Sequence, residues 1–184
     1  IHHAIAIDVN EGPYRTAKQA VEHNCLTKEI DVRLGSGLSA LKPKEADIAV
    51  FAGMGGLLIN SLLKSAPAIV NSLQGLVLQP QLAAEKVRRY LYTIGWHIED
   101  EALAKEQQHI YQIIYAVPGI RNMPDDISLE IGPVLFEKQP VLFPAHIDML
   151  LYRRKKILAG IDRSSAQRST ARYNKISALV KNLE

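Results

Sequence analysis

The sequence predicts a doubly wound α/β sheet followed by a basic helical hairpin. Three observations carry that prediction. Short apolar runs alternate with segments of helical period as far as about residue 117. The first runs end in an acid, a glycine cluster or a proline, as strands that feed tight turns do. Past Pro118 the strand signals stop, and lysine and arginine collect on stretches whose apolar residues lie three and four apart.

In chain order, "AIAID" (4–8) is a short apolar strand closed by Asp8. Gly12-Pro13 opens a helix, since a proline in the first turn lacks only an N–H that the helix cannot use there. Tyr14, Ala17, Ala20 and Val21 form its apolar face. "IDVRL" (30–34) alternates as a strand and meets Gly35-Ser36-Gly37. "ADIAVF" (46–51) reads as a buried strand, followed by Gly53-Met54-Gly55-Gly56 and a helix to about Lys64. "GLVLQ" (75–79) is the next strand, ended by Pro80. Val87, Tyr90, Leu91 and Ile94 share a helical face that stops at Gly95. "WHIEDEALA" and "IYQIIYAV" follow with no helix between them, which predicts an antiparallel pair at one edge of the sheet.

The second part, 119–184, begins with a connecting region punctuated by Pro124, Pro133, Pro140 and Pro144, with room for a short helix. From about Pro144, Ile147, Leu150, Leu151, Ile157, Leu158 and Ile161 form one apolar stripe. Tyr173, Ile176, Val180 and Leu183 form a second, with the spacing of a heptad seam. Together they predict an antiparallel hairpin turning near Asp162–Ser165, so the domains divide as 1–118 and 119–184.

A chain of 184 residues suits one ordinary domain with an appendage. Hydrophobic residues at 47% and charged residues at 22% exclude a disordered chain. The lone Cys25 excludes an internal disulfide framework and suits a reducing, cytoplasmic setting. No signal peptide opens the chain, and no apolar run approaches the ~18 residues of a membrane span. Net charge is only +3, but nine basic residues (Arg153, Arg154, Lys155, Lys156, Arg163, Arg168, Arg172, Lys175, Lys181) face one acid, Asp162, in the hairpin. That asymmetry permits a polyanionic partner. The pattern fixes no oligomeric state.

Open α/β sheets bind ligands at the carboxyl ends of their strands. That rule gathers Asp8, Gly35–Leu38, Gly53–Gly56 and Gln79–Pro80 on one rim. The glycine loop is neither a Walker loop, for want of its lysine and hydroxyl, nor a dinucleotide fingerprint, whose third glycine is replaced by Leu58. Its glycines let a flat group approach the backbone, or else let a helix pack closely; both readings stand. Asp8 matches an acid that holds ribose hydroxyls, but such a unit needs a glycine loop about 20 residues earlier. Only seven residues precede Asp8, so it is a strand-ending surface acid unless a first strand lies outside this sequence. His2, His3, His23, His97, His109 and His146 lack ligand spacing, and no metal site is expected. Cys25 reads as a packing residue. Tyr111, near the same rim, either stacks on a base or belongs to the core.

Four stretches, "AIAIDVNEGPYRTAKQAVEHNCLTKEIDVRLGSGLSAL", "DIAVFAGMGG", "GLVLQPQ" and "GWHIEDEALAKEQQHIYQIIYA", together resemble the TrmK family. These are bacterial tRNA (adenine-22-N1)-methyltransferases that use S-adenosylmethionine. The likeness runs from about residue 4 to 117, and the basic hairpin resembles the family's C-terminal domain. The resemblance implies a Rossmann-like class I methyltransferase sheet lacking its first strand, with a C-terminal antiparallel helical hairpin. It implies methyl transfer from S-adenosylmethionine to N1 of adenine 22 in tRNA. Asp8 would hold the cofactor ribose, with Val9 beside the adenine and Ser36, Gly37 and Leu38 lining its pocket. Ala52, Gly53 and Met54 would face the methionine end. Gly55 and Gly56 would leave space for the target base, bordered by Gln79 and Pro80, with Tyr111 a candidate to stack on it.

The chain departs from the family pattern twice. Gly35-Ser36-Gly37 stands where the family has Gly-Asp-Gly, so Ser36 can meet an adenine amine but brings no charge. The family's first strand and the loop after it (a pattern like D-I-G-S-D-H) are absent, so this sequence is expected to bind the cofactor poorly. Adenine N1 carries a lone pair and no proton, so its methylation needs alignment at ~3 Å rather than a general base. Because N1 lies on the pairing edge, the base must arrive unpaired or be flipped out. Arg153, Arg154, Lys155 and Lys156 point around their helix, whereas Arg168, Arg172 and Lys175 share a face along which a phosphate backbone can pass. Two alternatives remain: a non-catalytic RNA-binding module, and a small-molecule methyltransferase whose hairpin serves dimerisation.

Overall fold

β1 (Ala4–Asp8) and β2 (Ile30–Leu34) pair in parallel, from Ala4 opposite Ile30 to Asp8 opposite Leu34. The helix between them, α1 (Glu11–His23), half-buries Tyr14, Ala17 and Val21 along one stripe. It ends in a left-handed turn: Cys25 takes φ +57°, and the Leu26 N–H reaches back to the Val21 carbonyl at 2.9 Å. Cys25 is exposed there, which corrects the expectation that it packs. In this computed structural model, residues 3–163 are described together with 174, 177, 178 and 181.

A second sheet has the order β3-β4-β6-β5. Its strands are β3 (Ile48–Met54), β4 (Gly75–Pro80), β5 (Trp96–Glu106) and β6 (His109–Pro118). β3 and β4 are parallel, while β6 runs antiparallel to both β4 and β5. Between β3 and β4 come α2 (Gly56–Ser65) and the short α3 (Pro67–Val70); α4 (Ala84–Thr93) follows β4. Alternation along the strands sends Ala49, Phe51, Leu76, Leu78, Ile114 and Ala116 to one face. There they meet Ile59 and Leu63 of α2 and Val87 and Leu91 of α4 in a single core. Leu76, Leu78 and Ile114 expose no surface, which is worth about 1.5–3 kcal/mol for each side chain.

The other face of β3 is open. Ile48 is 50% and Val50 68% exposed, so the run expected to be a buried strand is buried on one side only. Nothing among the described residues covers that side. β1 pairs only with β2, and β3 only with β4, among the described residues. Each therefore presents an unpaired edge in a parallel setting.

Three further helices follow: α5 (Asp126–Ile131), α6 (Pro133–Lys138) and α7 (Phe143–Arg163). Asp125 starts α5 by accepting the Ser128 N–H at 2.7 Å, a charge-assisted cap that holds its carboxyl below the ordinary range. A buried ion pair fastens α5 and α6 to the sheet. Arg88 of α4, with no exposed surface, donates through Nε to Glu101 of β5 at 2.7 Å. Its Nη1 reaches the Leu129 carbonyl at 3.0 Å, and its Nη2 reaches Gln112 at 2.8 Å. The second Glu101 oxygen accepts the Val134 N–H at 3.0 Å, at the start of α6. Gly132 takes φ +108° between these helices, where an added Cβ would lie 2.8 Å from Arg88 Nη2. The second arm of the expected hairpin, with its apolar seam and Arg168, Arg172 and Lys175, lies outside the described residues.

Candidate cofactor and base site

The glycine loop begins inside a strand. Ala52 pairs with Gln79 and Met54 with Pro80, so Gly53 is one residue too many and forms a bulge. Its φ of +74° is a conformation that favours glycine. The Gly53 N–H donates to Gln79 Oε1 at 2.7 Å, and the Met54 carbonyl accepts the Gln81 N–H at 2.9 Å. That first bond fixes which way the Gln79 amide points, and its Nε2 is buried without a partner.

Gly55 and Gly56 are glycines for different reasons. At Gly55 the backbone is ordinary, with φ −69°, and an added Cβ would meet nothing within 4 Å. At Gly56 the same atom would lie 2.6 Å from the Ala83 carbonyl oxygen and 2.8 Å from that of Leu82. The Gly56 N–H donates to Leu82 at 2.8 Å. The structure therefore corrects the role expected of Gly56, since the space beside it is filled by the loop before α4. Gly53 and Gly55 remain open; Leu57 and Leu58, which follow them in the chain, and Leu82, whose carbonyl holds Gly56, are exposed.

The first sheet supplies the polar end of the rim. Asp8 Oδ1 accepts the Asn10 N–H at 2.8 Å, while its carbonyl accepts the Gly35 N–H at 2.9 Å and so brings the two loops together. Val9 and Ser36 are exposed, and the Ser36 hydroxyl caps no backbone group. Gly37, at φ +53°, backs onto Leu62 of α2, which joins this loop to the second sheet. Leu38 is corrected: its side chain is buried in the core, so only its backbone can line a pocket. Arg33 braces the loop through Asp31, the Ala40 carbonyl and both oxygens of Glu45. That guanidinium, helped by the Lys42 N–H, holds the Glu45 carboxyl down at about 2. An open acceptor at Asp8, a free hydroxyl at Ser36 and an unobstructed floor at Gly53 and Gly55 fit a nucleoside-bearing cofactor.

The other expected residues are dispersed. Tyr111 stacks on His109 at 6.3 Å and approaches Glu106 at 3.5 Å, so its contacts lie in its own hairpin. His97 faces the Gly119 carbonyl and Glu99, each at 3.2 Å. His146 is fully buried, with Nε2 donating to the Ile131 carbonyl at 2.8 Å and Nδ1 unpartnered. Burial pushes its pKa below the usual 6.5, so the ring is neutral near pH 7. Of the four consecutive cations on α7, Arg154 is engaged by Glu130, with Nε 2.9 Å from Oε1, and lies 3.9 Å from Glu85. Lys155 also has a partner. Of these four candidates for RNA contact, Arg153 and Lys156 are exposed and form no ion pair among the described residues. Burial raises the Glu130 pKa, and Arg154 opposes that shift.

The sequence reading missed Arg88. On α4 the buried positions are Ala84, Val87, Arg88 and Leu91, the i, i+3, i+4, i+7 stripe of a core-facing helix. A cation in that stripe signals a buried partner.

The family model for TrmK, tRNA (adenine(22)-N(1))-methyltransferase, matches residues 1–184. The chain belongs to this family. A tRNA (adenine(22)-N(1))-methyltransferase from Bacillus subtilis (strain 168) is 35% identical over 145 residues, which is 76% of this chain. The matched region is 61% of that protein, so this chain spans somewhat less than two thirds of it. The crystal structure of Streptococcus pneumoniae Sp1610 superposes with a TM-score of 0.87 at 26% identity, covering 100% of this chain and 81% of that one. The same protein in complex with S-adenosyl-L-methionine gives a TM-score of 0.81 at 25% identity, covering 100% and 80%. The chain accordingly has the Rossmann-like α/β methyltransferase fold. No helix among its described residues is long and apolar enough to cross a membrane.

Proposed function

We propose that this chain is the catalytic sheet and C-terminal region of an S-adenosylmethionine-dependent methyltransferase acting on N1 of adenine 22 in tRNA. The observation that carries the reading is the open bulge at Gly53–Gly55, together with the loop of Asp8 and Gly35 that Gly37 brings against Leu62 of α2. Asp8 would accept from the cofactor ribose, and Ser36 would meet its adenine. When bound, the cofactor supplies an electrophilic methyl group. The chain's own part is alignment: Gly53 and Gly55 let reacting groups lie against backbone, and Leu57, Leu58 and Leu82 offer apolar walls that exclude water. No side chain has to take a proton, because N1 has none to lose. Catalysis therefore asks nothing of the dispersed histidines. RNA would meet the basic residues of 119–184, which we take as a second domain.

The divided sheet favours a second reading, in which this chain alone binds RNA without turnover. Its observation is that β1 and β3 each keep an unpaired edge among the described residues. One experiment separates the two. S-adenosylmethionine is titrated by calorimetry into this chain and into a chimera carrying the amino-terminal segment of the Bacillus subtilis relative. Binding and methylation of a tRNA transcript by the chimera, lost when adenine 22 is replaced, is the expected result. Absence of cofactor binding by both proteins would overturn the enzyme reading and leave the RNA-binding one.

A further inference from the structure

A cleft of about 250 Å³ opens between the loop that follows β4 and the outer turns of α7. Pro80 and Gln81 form its near wall, and Arg153 and Arg154 its far wall. Gln81 is the residue whose N–H bonds the Met54 carbonyl, so the cleft starts where the glycine loop ends. Its volume falls just under the ~300 Å³ at which small-molecule sites begin, which suits one nucleotide unit and not a run of them.

Its charges are unevenly committed. Three cations (Lys86, Arg153, Arg154) and two carboxylates (Glu85, Glu130) line it. Arg154 answers both carboxylates, forking onto Glu130 and approaching Glu85 at 3.9 Å. Lys86 and Arg153 are left over: both are exposed, and neither forms an ion pair among the described residues. A cleft with two uncommitted cations and its acids already answered suits a single anion. Guanidinium and ammonium donors make charge-assisted bonds to phosphate oxygens.

We propose that this cleft binds the phosphodiester next to the target adenosine, with Lys86 and Arg153 as its donors. The inference rests on the RNA reading above and adds a site to it. Pinning that phosphate beside Pro80 fixes the backbone on one side of the flipped base, so that the base itself can swing over Gly55. Arg154 is then a positioning residue, which keeps Glu130 and Glu85 from repelling the anion.

The test measures binding of a tRNA transcript to the full chain across a salt series. It compares the wild type with Lys86→Gln, Arg153→Gln and a control, Lys28→Gln. Lys28 is exposed and precedes β2, at the end opposite the strand's carboxyl rim. Each cleft substitution should weaken binding roughly tenfold at low salt. Each should also reduce the slope of log affinity against log salt by ~0.7–1, the loss of one phosphate contact. The control should do neither. A transcript with methylphosphonates flanking adenine 22 should lose the same factor against the wild type and little more against Arg153→Gln. Equal losses in all three variants, or none in the cleft variants, would overturn this site while leaving RNA binding intact. A wild type that fails to bind tRNA would instead overturn the RNA reading, and the site with it.

Discussion

The rim and the belt around Arg88 treat polar atoms in opposite ways. In the belt every guanidinium nitrogen of Arg88 has an acceptor, and Glu101 answers both the cation and the α6 backbone. On the rim, the Gln79 amine has no partner, Ser36 caps nothing, and two of three loop glycines face empty space. Both regions depart from an apolar core, for different ends. The belt is closed because it must hold α5 and α6 on the sheet in low dielectric, where an unpaired charge is costly. The rim is open, as the proposed function requires of a site whose partners come from outside the chain.

The belt should therefore give the largest effect. Arg88→Met leaves Glu101 buried and uncompensated, and orphans Gln112 and the Leu129 carbonyl. We expect a loss of about 3–5 kcal/mol in urea denaturation. Adding Glu101→Gln should recover part of it, since the double variant has no buried charge. A single variant within ~1 kcal/mol of wild type would show that the pair does not fasten these helices.

Within the rim, Gly56→Ala sharpens the contrast between a closed and an open glycine. Its methyl would press on the Leu82 and Ala83 carbonyl oxygens, which belong to backbone and cannot rotate away. Overpacking of this kind costs about 1–3 kcal/mol. The readout is again the denaturation midpoint, and an unchanged midpoint would return Gly56 to the open set.

These differences were only partly legible in the sequence. Strand and helix order up to residue 118 followed from apolar period and from glycine and proline stops, which are local signals. The openness of β3 did not. Ile48 and Val50 read as buried because their exposure depends on what covers the sheet, and "ADIAVF" carries no trace of that. Three glycines in "GMGG" also looked alike as letters. They separate only by φ at Gly53, by empty space at Gly55 and by the Ala83 carbonyl at Gly56. Leu38 sat among presumed cofactor contacts because loop position is readable and side-chain direction is not. Arg154 looked like one of four equal cations until Glu130, 24 residues earlier, proved to hold it.

A smaller effect separates the belt by pH. His146 faces Arg88 and Arg153, and its pKa lies below 6.5 chiefly through burial. Below pH 6.5 the unfolded chain takes up a proton that the folded chain refuses. Stability is therefore fully present above 6.5 and falls as pH drops towards the depressed folded value, by at most ~1.4 kcal/mol per pH unit. Glu130, raised by burial, works in the opposite sense above 4.5 and is common to both proteins compared. His146→Gln keeps a donor for the Ile131 carbonyl and should lack this slope. Parallel stability profiles for the two proteins between pH 7 and 5 would refute the assignment.

The least effect on the fold, and the most telling for function, belongs to Gly55→Leu. The backbone there is extended at φ −69°, ψ 141°, which leucine adopts freely, and its Cβ would meet nothing. Gly55 is also the N-cap of α2, where leucine caps less well than glycine, so stability should fall by no more than ~1 kcal/mol. If the space in front of Gly55 receives the target base, the same side chain fills it. Methyl transfer by the chimera should then fall to background while calorimetric binding of S-adenosylmethionine persists. Retained turnover would mean that the base enters elsewhere. Loss of cofactor binding would move Gly55 from the base side of the rim to the cofactor side. The pair Gly55→Leu and Gly56→Ala thus divides the loop: one substitution should spare the fold and stop the chemistry, and its neighbour should strain the fold by pressing on the loop before α4.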